Sequence, residues 1–502
     1  MDPKVLPVTW EVRMRKSPRK CRSQAAAEIL SSKGRSVVVG VDFAKSSMKV
    51  QAFLDRETVA WKRGLDIENS RAGVEFLLER LSGILRKWRV GKDRVVFGGE
   101  DPASYALPFI EELRRRGFLF VAVNAKTASE NRDNTRASSD LLDLDGIAEA
   151  VRRRLVRDIE ASGGVYGELR RTCRARLQAT KLELQVGNQI RRVADLVFPG
   201  LLDDGETGMQ PLSSACLVLL DAGLTPARLA KMKDAAVLRL LSQGGAIRRE
   251  EVLARLRALA ARALPPPCGQ DDLLARLRCK VAMLRAVRAE IACEERQMAR
   301  SLAQTPCAWL LTLPGAGVVL VAHLVAELGD PAGWRSVAQA FSYAGCAQRH
   351  KQTGGPENEG YSLGLPRDCN SRLKLVLLQL AFHAGTTPHP VRRAAGLGGG
   401  HRLQRHYQKV EARGGKSLLS TARLLLRIAF KMVHDRTPYD PGAEEGVLSV
   451  EEEAAWMNAT LEAAAAKIAK YDLAGIPDDA SCVSAFRAFA KEYAENLSTR
   501  NL

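Results

Sequence analysis

The sequence predicts an α/β amino-terminal domain followed by a chain that is mostly helical. Short runs rich in β-branched residues alternate with helical periodicity between residues 36 and 156. From residue 156 to residue 304 these strand signals stop, and long amphipathic stretches replace them. A further segment, from residue 305 to residue 441, combines glycine-containing turns with helical patterns. Together these observations predict the fold class α/β plus all-α.

The amino-terminal elements follow one another in the order β-β-β-α-β-α-β-α with short connections. Strands are predicted at Ser36–Val41, Lys49–Leu54, Glu57–Trp61, Arg94–Phe97 and Leu119–Val123. Helices are predicted at Asn69–Leu85, Tyr105–Arg116 and Leu141–Val156. This order predicts an α/β layer sandwich that is ribonuclease H-like, or RuvC-like.

Two long amphipathic stretches dominate the middle of the chain. The first, Tyr166–Val197, is Arg-rich, and Pro265-Pro266-Pro267 breaks the chain before the second. The second begins near Asp271 or Asp272 and carries an apolar stripe formed by Leu274, Leu277, Val281, Leu284, Val287, Ile291 and Met298. An ordinary packing face accounts for such a stripe, and pairing of the two helices as an antiparallel coiled coil is the alternative.

Five segments follow from these patterns. Residues 1–35 are predicted to be a basic, partly disordered leader, and residues 36–155 the ribonuclease H-like domain. Residues 156–304 are predicted to be a helical spacer or dimerisation region. Residues 305–441 form a mostly helical carboxy-terminal domain, and residues 442–502 an acidic helical tail.

The net charge favours a polyanionic partner. The 502 residues include 76 Lys and Arg against 57 Asp and Glu, giving +19. The leader carries +6 and the tail −6, so residues 36–440, with 62 basic and 43 acidic side chains, hold the whole excess. The basic surface is therefore expected on the body of the protein, and nucleic acid is the expected partner.

Other features exclude secreted and membrane proteins. The leader has no apolar core of a signal peptide. The most apolar stretch, Val318–Leu328, is too short to span a bilayer and contains His323 and Glu327. The ten cysteines form no CxxC pair, which predicts reduced thiols and excludes a zinc site. We expect a soluble bacterial protein of the cytoplasm, associated with the nucleoid and with no membrane contact.

Acidic residues follow two predicted strands. Asp42 comes directly after the first strand, and Glu100 follows the fourth behind two glycines. Asp140 and Asp143 share one side of a helix start, whereas Asp145 lies off that side. In a ribonuclease H-like sheet the first and fourth strands are neighbours and a later helix crosses them, so the four carboxylates would converge.

Such a cluster would need divalent cations with oxygen ligands to neutralise it. Two ions about 4 Å apart support phosphodiester cleavage. An aspartate after a strand is ordinarily a turn or cap residue, so the prediction depends on the complete set. Sugar-kinase-like ATPases also begin with a strand and Gly-Val-Asp, but the second glycine-rich phosphate loop of that class is missing from the sequence.

Motifs that resemble one family follow in order along residues 36–441. Gly40–Lys45 (GVDFAK) resembles the family opening G-I/V-D-x-A/S-K, and Glu100–Tyr105 shares the Glu, the Tyr and the spacing of E-x-T-G-x-Y. The other matching segments are Val123-Asn124, Asp140–Asp143 with Ile147-Ala148, Leu313–Gly317, Ala326–Asp330, Tyr343–Gly345, Thr353-Gly354, Leu365–Lys374, Gly414–Lys416 and Pro438–Asp440. The ordered set resembles the DEDD-type insertion-sequence transposases, which include bridge-RNA-guided recombinases and are related to Piv-type invertases.

The resemblance implies a composite active site for cutting and rejoining DNA. The metal ligands carried over from the family are Asp42, Glu100, Asp140 and Asp143, holding two Mg²⁺ ions or Mn²⁺ in their place. The family's second domain supplies a serine nucleophile that joins covalently to DNA, and this position is Thr353 here. The implied partners are target and donor DNA, a structured guide RNA, and further copies of the chain in a homodimer or homotetramer.

The sequence departs from the family pattern at the nucleophile. Threonine can act as a nucleophile, but its methyl group crowds the attack and restricts χ1. Ser362 is an alternative hydroxyl. Two further departures are Ser138, where the family has a lysine, and Leu144, where it has a small alanine. These departures leave a second function open, that of a catalytically weakened, transposase-derived nucleic-acid-binding protein. A third possible function is that of a junction-resolvase-like nuclease that uses only the acids and water.

Basic and aromatic residues near these motifs are expected to contact nucleic acid, positioning phosphates rather than reading bases. These residues are Lys45, Tyr105, Arg349, His350, Lys351, Arg367, Arg372 and Lys374. His350 lies three positions before Thr353, so a role as general base is an alternative to metal activation.

Overall fold

The fold is taken from a computed structural model of the chain. It describes residues 23–44, 46–100, 106–132, 139–158, 164–264, 270–334, 336–351, 361–366, 369–387, 401–439, 450–471 and 482–499. The chain divides into two compact units, Met1–Ser162 and Gly163–Leu502. Each unit has its own core and is described separately below.

A mixed sheet forms the centre of the first unit. Among the described residues it has six strands: β1 (Val37–Phe43), β2 (Ser47–Phe53), β3 (Leu65–Glu68), β4 (Val95–Glu100), β5 (Leu119–Val123) and β6 (Arg157–Asp158). Their order in the sheet is β3-β2-β1-β4-β5-β6, with β1, β4 and β5 parallel and the other pairings antiparallel. The predicted α/β character is confirmed, and the order is consistent with a ribonuclease H-like domain.

Helices cover both faces of this sheet. They are α1 (Gln24–Ser31), α2 (Arg71–Trp88), α3 (Leu107–Arg115), α4 (Ala125–Glu130) and α5 (Asp140–Arg152). Val37, Val39 and Val41 of β1 pack in one core with α2 and α3. Val38 lies in a second core with α1, α4 and α5. Because side chains alternate along a strand, β1 is buried on both faces, which explains its unbroken valine run.

Two details of the predicted order are wrong. Glu57–Trp61 is not a strand and contributes only an isolated bridge between Phe53 and Val59. The reason is a tight turn, in which the Asp55 carboxylate accepts hydrogen bonds from the backbone N–H groups of Glu57 and Thr58. The third strand is β3 instead. Helix α5 ends at Arg152, before the predicted Val156, and the two-residue strand β6 follows it.

An antiparallel pair of long helices spans the middle of the second unit. They are α6 (Val165–Val197) and α12 (Gln270–Ala303). Gln297 donates to Glu168 at 2.5 Å, the Arg176 guanidinium bonds Glu295 at 2.7 Å, and Arg288 bonds Glu183 at 2.8 Å. Residue numbers rise along one helix as they fall along the other, so the alternative of antiparallel pairing is confirmed.

Short helices pack against one end of this pair. They are α7 (Asp204–Thr207), α8 (Ser214–Asp221), α9 (Pro226–Lys231), α10 (Asp234–Gln243) and α11 (Arg249–Arg262). Their core includes Val186 and Ile190 of α6 and Leu277 and Val281 of α12. The apolar stripe of α12 is therefore in part an ordinary packing face.

The rest of the second unit packs around the other end of the pair. Its helices are α13 (Val318–Leu328), α14 (Val337–Tyr343), α15 (Ser371–Thr386), α16 (Arg402–Ala412), α17 (Ser417–Asp435), α18 (Val450–Ala469) and α19 (Cys482–Thr499). A hairpin of β7 (Arg349–Lys351) and β8 (Tyr361–Gly364) lies between α14 and α15 in the chain. The tail joins this core, since Phe486 of α19 lies 4.7 Å from Trp309 between ring centroids. None of the described helices is long and apolar enough to cross a membrane.

Candidate functional site

The register of the sheet places two of the predicted acids side by side. Strands β1 and β4 are parallel and pair Val41 with Gly99, so the next residues, Asp42 and Glu100, are neighbours at the same end of the sheet. Asp42 shares a face of β1 with Val38 and Gly40, because side chains alternate. Since Val38 packs with α5, both acids lie on the face that α5 covers.

Glycines allow α5 to lie directly on these strands. A Cβ atom at Gly40 would lie 3.0 Å from the carbonyl oxygen of Leu144. A Cβ atom at Gly98 would lie 2.5 Å from Cγ2 of Val151. A side chain at either position would therefore require Leu144 or Val151 of α5 to shift. Leu144 itself is fully buried there, so this departure from the family pattern is accommodated in the core.

The start of α5 brings the other two acids to the same place. The Ser139 hydroxyl caps the helix by accepting a hydrogen bond from the Leu142 N–H at 3.3 Å. This cap fixes the first turn, which contains both Asp140 and Asp143. The Asp143 side chain is 23% exposed and that of Asp140 is 64% exposed, so Asp143 is the more deeply placed of the two.

Burial and neighbouring negative charges disfavour the ionised forms of Asp42 and Glu100. Burial is the main reason that the pKa of Asp42 is raised, and the charges of Asp143 and Asp140 raise it further. Burial likewise raises the pKa of Glu100, with further contributions from Asp42 and Asp143. The acids therefore lie near enough for their charges to interact, and their convergence in one catalytic site stays a prediction.

Two cations that the sequence analysis did not single out lie among these acids. Arg132 forms an ion pair with Asp143, and its charge opposes the pKa increases of Asp42 and Glu100. Lys49 lies 3.4 Å from Asp140 and 3.5 Å from Asp66. Lys49 was detectable in principle, because β2 pairs it with Asp42. No pattern in the sequence marks Arg132, which follows α4.

Arg132 is held in place by close packing between α4 and α5. A Cβ atom at Gly146 would lie 2.3 Å from the carbonyl oxygen of Ala128 and 2.9 Å from Cγ of Arg132. The aliphatic part of Arg132 therefore crosses α5 at a glycine. Its Nε atom and Oδ1 of Asp143 are both buried without a hydrogen-bond partner of good geometry. The ion pair to Oδ1 of Asp143 comes instead from Nη2 of Arg132.

The donor chemistry of this cluster fits a hard divalent cation. Four carboxylates supply only oxygen ligands, which are the ligands that such cations prefer. In the described part of the chain, however, no group of three or more His, Cys, Asp or Glu side chains is arranged to hold a metal ion. The charges of Arg132 and Lys49 partly neutralise the acids instead.

The second unit contains the other predicted site. Backbone pairing of β7 and β8 places His350 opposite Ser362, and the connection between the two strands carries Thr353. Thr353, Arg367, Lys45, Tyr105 and Ser138 lie outside the described residues. The structure therefore places Arg349, His350 and Lys351 on one strand of a hairpin, beside the segment that leads to α15.

The amino terminus of α15 is anchored by a buried acid. Asn370 caps the helix through a bond from the Leu373 N–H to its side-chain oxygen, at 3.1 Å. Its amide group donates to Oε2 of Glu327, which is buried in α13, at 2.8 Å. Arg372 is exposed in the following turn, and Lys374 is half-buried. The anchoring fixes the position of both predicted nucleic-acid contacts.

Comparison with known proteins shows which families two segments of this chain resemble. A family model for transposases of the DEDD IS110 type matches residues 39–199, and a model described as the transposase IS116/IS110/IS902 family matches residues 307–395. The first match contains all four acids and the second contains Thr353. The predicted resemblance is confirmed: residues 39–199 and 307–395 each match a family model of IS110-type transposases.

Individual relatives share parts of the chain. The pilin gene-inverting proteins of Moraxella bovis and Moraxella lacunata are each 25% identical over 139 residues, 27% of this chain and 39% of theirs. An uncharacterised protein of insertion element IS110 from Streptomyces coelicolor is 30% identical over 141 residues, 28% of this chain and 31% of its own. The matched part thus spans less than half the length of these relatives.

Proposed function

We propose that this chain is a DNA transposase or site-specific recombinase that breaks and rejoins phosphodiester bonds with the help of Mg²⁺. The observation that carries the proposal is the electrostatic cluster of Asp42, Glu100, Asp140 and Asp143, formed where β1, β4 and α5 meet. The family matches supply the reaction class, and the basic excess of the chain fits a DNA substrate.

The first unit is proposed to be a ribonuclease H-like, RuvC-like catalytic domain. Asp42, Glu100, Asp140 and Asp143 would hold one or two Mg²⁺ ions, or Mn²⁺, after Arg132 and Lys49 withdraw. When bound, such ions would supply activation of the attacking oxygen and charge stabilisation of the leaving oxygen. The ends of β1 and β4 and the first turn of α5 would hold these carboxylates in place.

The hydroxyl of Thr353 is proposed to be the nucleophile. Its oxygen forms a bond to the phosphorus of the DNA backbone, while the bond to a sugar oxygen breaks and that oxygen leaves as a hydroxyl. Reversal of this step on another strand end rejoins the DNA and frees the threonine. Lys45, Tyr105, Arg349, His350, Lys351, Arg367, Arg372 and Lys374 are proposed to position the DNA phosphates.

Recognition of sites by a structured guide RNA completes the proposal. In this reading the RNA pairs with target and donor DNA, and the chain acts as a homodimer or homotetramer through the α6–α12 pair. The reaction would take place at the nucleoid, in the bacterial cytoplasm. The test is to purify the full chain from its host and sequence the RNA that accompanies it. One enriched structured RNA from beside the gene supports guidance, and no enriched RNA refutes it.

A nucleic-acid-binding protein derived from such a transposase is the second candidate, favoured by threonine at position 353 in place of the family's serine. A marked gain of covalent DNA adduct in Thr353→Ser would identify a weakened nucleophile. Metal-dependent cuts with neither adduct nor loss of cleavage in Thr353→Ala would favour the resolvase-like nuclease instead. These two variants therefore separate the three readings.

A further inference from the structure

An exposed row of cations lies along α17. Arg423, Arg427 and Lys431 are spaced four residues apart and are exposed. Successive members are displaced by about 6 Å along the helix axis, so the row is about 12 Å long. The opposite side of α17, with Leu425, Ala429 and other apolar residues, is buried in the core of the second unit. The row therefore lies on a rigidly held surface.

The charge around the row is strongly one-sided. Residues 401–439, which contain α16 and α17, include nine Lys and Arg but only two Asp and Glu. One of the two acids, Asp435, lies 2.8 Å from His434. The neighbouring helix α16 adds Arg402, Lys409 and Arg413, which are also exposed. Helices α16 and α17 are joined by a bond of 2.8 Å between His406 and Ser420, so the two basic surfaces are fixed together.

The positive charges of the three residues are available to a ligand. In the part of the chain that the structure describes, none of the three forms an ion pair. Arg423 lies over the ring of Phe341, 5.9 Å from its centroid, which leaves its hydrogen-bond donors free for a ligand. By contrast, Arg176 and Arg288 in the same unit are paired with acids of a neighbouring helix.

We propose that Arg423, Arg427 and Lys431 bind the phosphate backbone of duplex DNA. The inference deepens the proposed function, because it assigns to one surface the contact that holds the DNA. Repeated guanidinium and ammonium groups on one face suit successive phosphates and carry no base specificity. The exposed positions of this fully described helix include no Phe, Tyr or Trp. Unpaired bases therefore have no stacking surface here, which favours a duplex over a single strand.

The test compares a triple variant with a matched control. Arg423→Gln, Arg427→Gln and Lys431→Gln are combined in the full chain. The control combines Lys231→Gln, Lys233→Gln and Arg239→Gln, which remove the same charge from exposed positions around α9 and α10. Binding of a fluorescein-labelled DNA duplex of arbitrary sequence is followed by fluorescence anisotropy between about 50 mM and 200 mM NaCl.

The salt dependence gives the expected magnitude. Each phosphate contact contributes about 0.9 to the slope of log K against log salt, so the triple variant should lose up to about 2.7 of that slope. Its affinity at the lowest salt should fall by at least about tenfold, whereas the control should keep the wild-type slope. If the triple variant has a lower Tm, the three single variants are measured instead, each with an expected loss of about 0.9.

The outcomes separate this inference from the proposed function. A wild-type chain that binds no DNA would refute the proposed function. A wild-type chain that binds DNA, with an unchanged slope in the row variants, would overturn the inference alone. Duplex RNA and single-stranded DNA of the same sequence serve as further probes. If the triple variant lost affinity only for duplex RNA or only for single-stranded DNA, the assignment to duplex DNA would be overturned.

Discussion

Replacing Asp42 by Asn should stabilise the metal-free protein while abolishing DNA cleavage. Burial and the charges of Asp143 and Asp140 raise the pKa of Asp42, so its ionised carboxylate is unfavourable in the folded state. Asparagine keeps the shape of the side chain and removes the charge. Replacing a residue that stabilises the fold lowers the stability of the protein. Replacing a metal ligand that is held among like charges should raise the stability of the metal-free protein.

The expected gain is moderate. Relieving one unfavourable interaction of this kind typically yields about 0.5–2 kcal/mol, and we expect about 1 kcal/mol here. The unit that contains Asp42 ends at Ser162. For a unit of this size, 1 kcal/mol corresponds to a rise in Tm of about 2–4 °C. The gain should be largest at neutral pH and should disappear on acidification, because protonation of Asp42 in the wild-type protein removes the same repulsion.

The assay is calorimetric unfolding of the full chain in the presence of EDTA. Asp55→Asn provides the matched control, since it also removes one aspartate charge from the first unit. The Asp55 carboxylate accepts bonds from the Thr58 N–H at 2.6 Å and the Thr58 hydroxyl at 2.9 Å, and these bonds lower its pKa. Asp55→Asn should therefore lower the Tm. A lower Tm in Asp42→Asn as well would refute the reasoning, because Asp42 would then be an ordinary turn or cap residue.

Three further predictions follow from the same geometry. Arg132→Gln removes the cation that pairs with Asp143, so calorimetric titration should show Mn²⁺ binding at least about tenfold tighter than in the wild type. Equal or weaker Mn²⁺ binding would contradict competition between Arg132 and the metal. Burial lowers the pKa of His323 to about 4, so the free energy of unfolding should fall by up to about 3 kcal/mol as the pH drops from 6.5 to 4. Urea unfolding of His323→Gln should not show this loss. Thr353→Ser should increase the covalent adduct with DNA on denaturing gels, and an adduct that persists in Thr353→Ala would exclude this hydroxyl.

The acidic cluster was predictable because its positions depend on local patterns. The valine run of β1 and the short apolar run of β4 mark buried strands, and Asp42 and Glu100 end them. The adjacency of parallel strands then follows from the order of elements. Asp140 and Asp143 follow from helical spacing. Gly40 and Gly98 were part of the same pattern, although their role in admitting α5 required the structure.

Other features depend on contacts between distant segments. Strand β3 was misplaced because Glu57–Trp61 has β-forming composition but is folded by the Asp55 turn. Arg132 was missed because only the packing of α4 against Gly146 brings it to the acids. Strand β6 has two residues, which is too short for a periodic signal. Thr353 stays a prediction, since it lies outside the described residues.

The most direct test of the central claim is recombination at the native locus. The chain is expressed beside its own flanking DNA, and the recombined junction is amplified and sequenced. The wild-type protein and Asp55→Asn should give junctions of one defined sequence, and Asp42→Asn should give none. Junctions formed by Asp42→Asn at the wild-type level, or none formed by the wild-type chain, would contradict the claim that this acidic cluster drives DNA strand exchange.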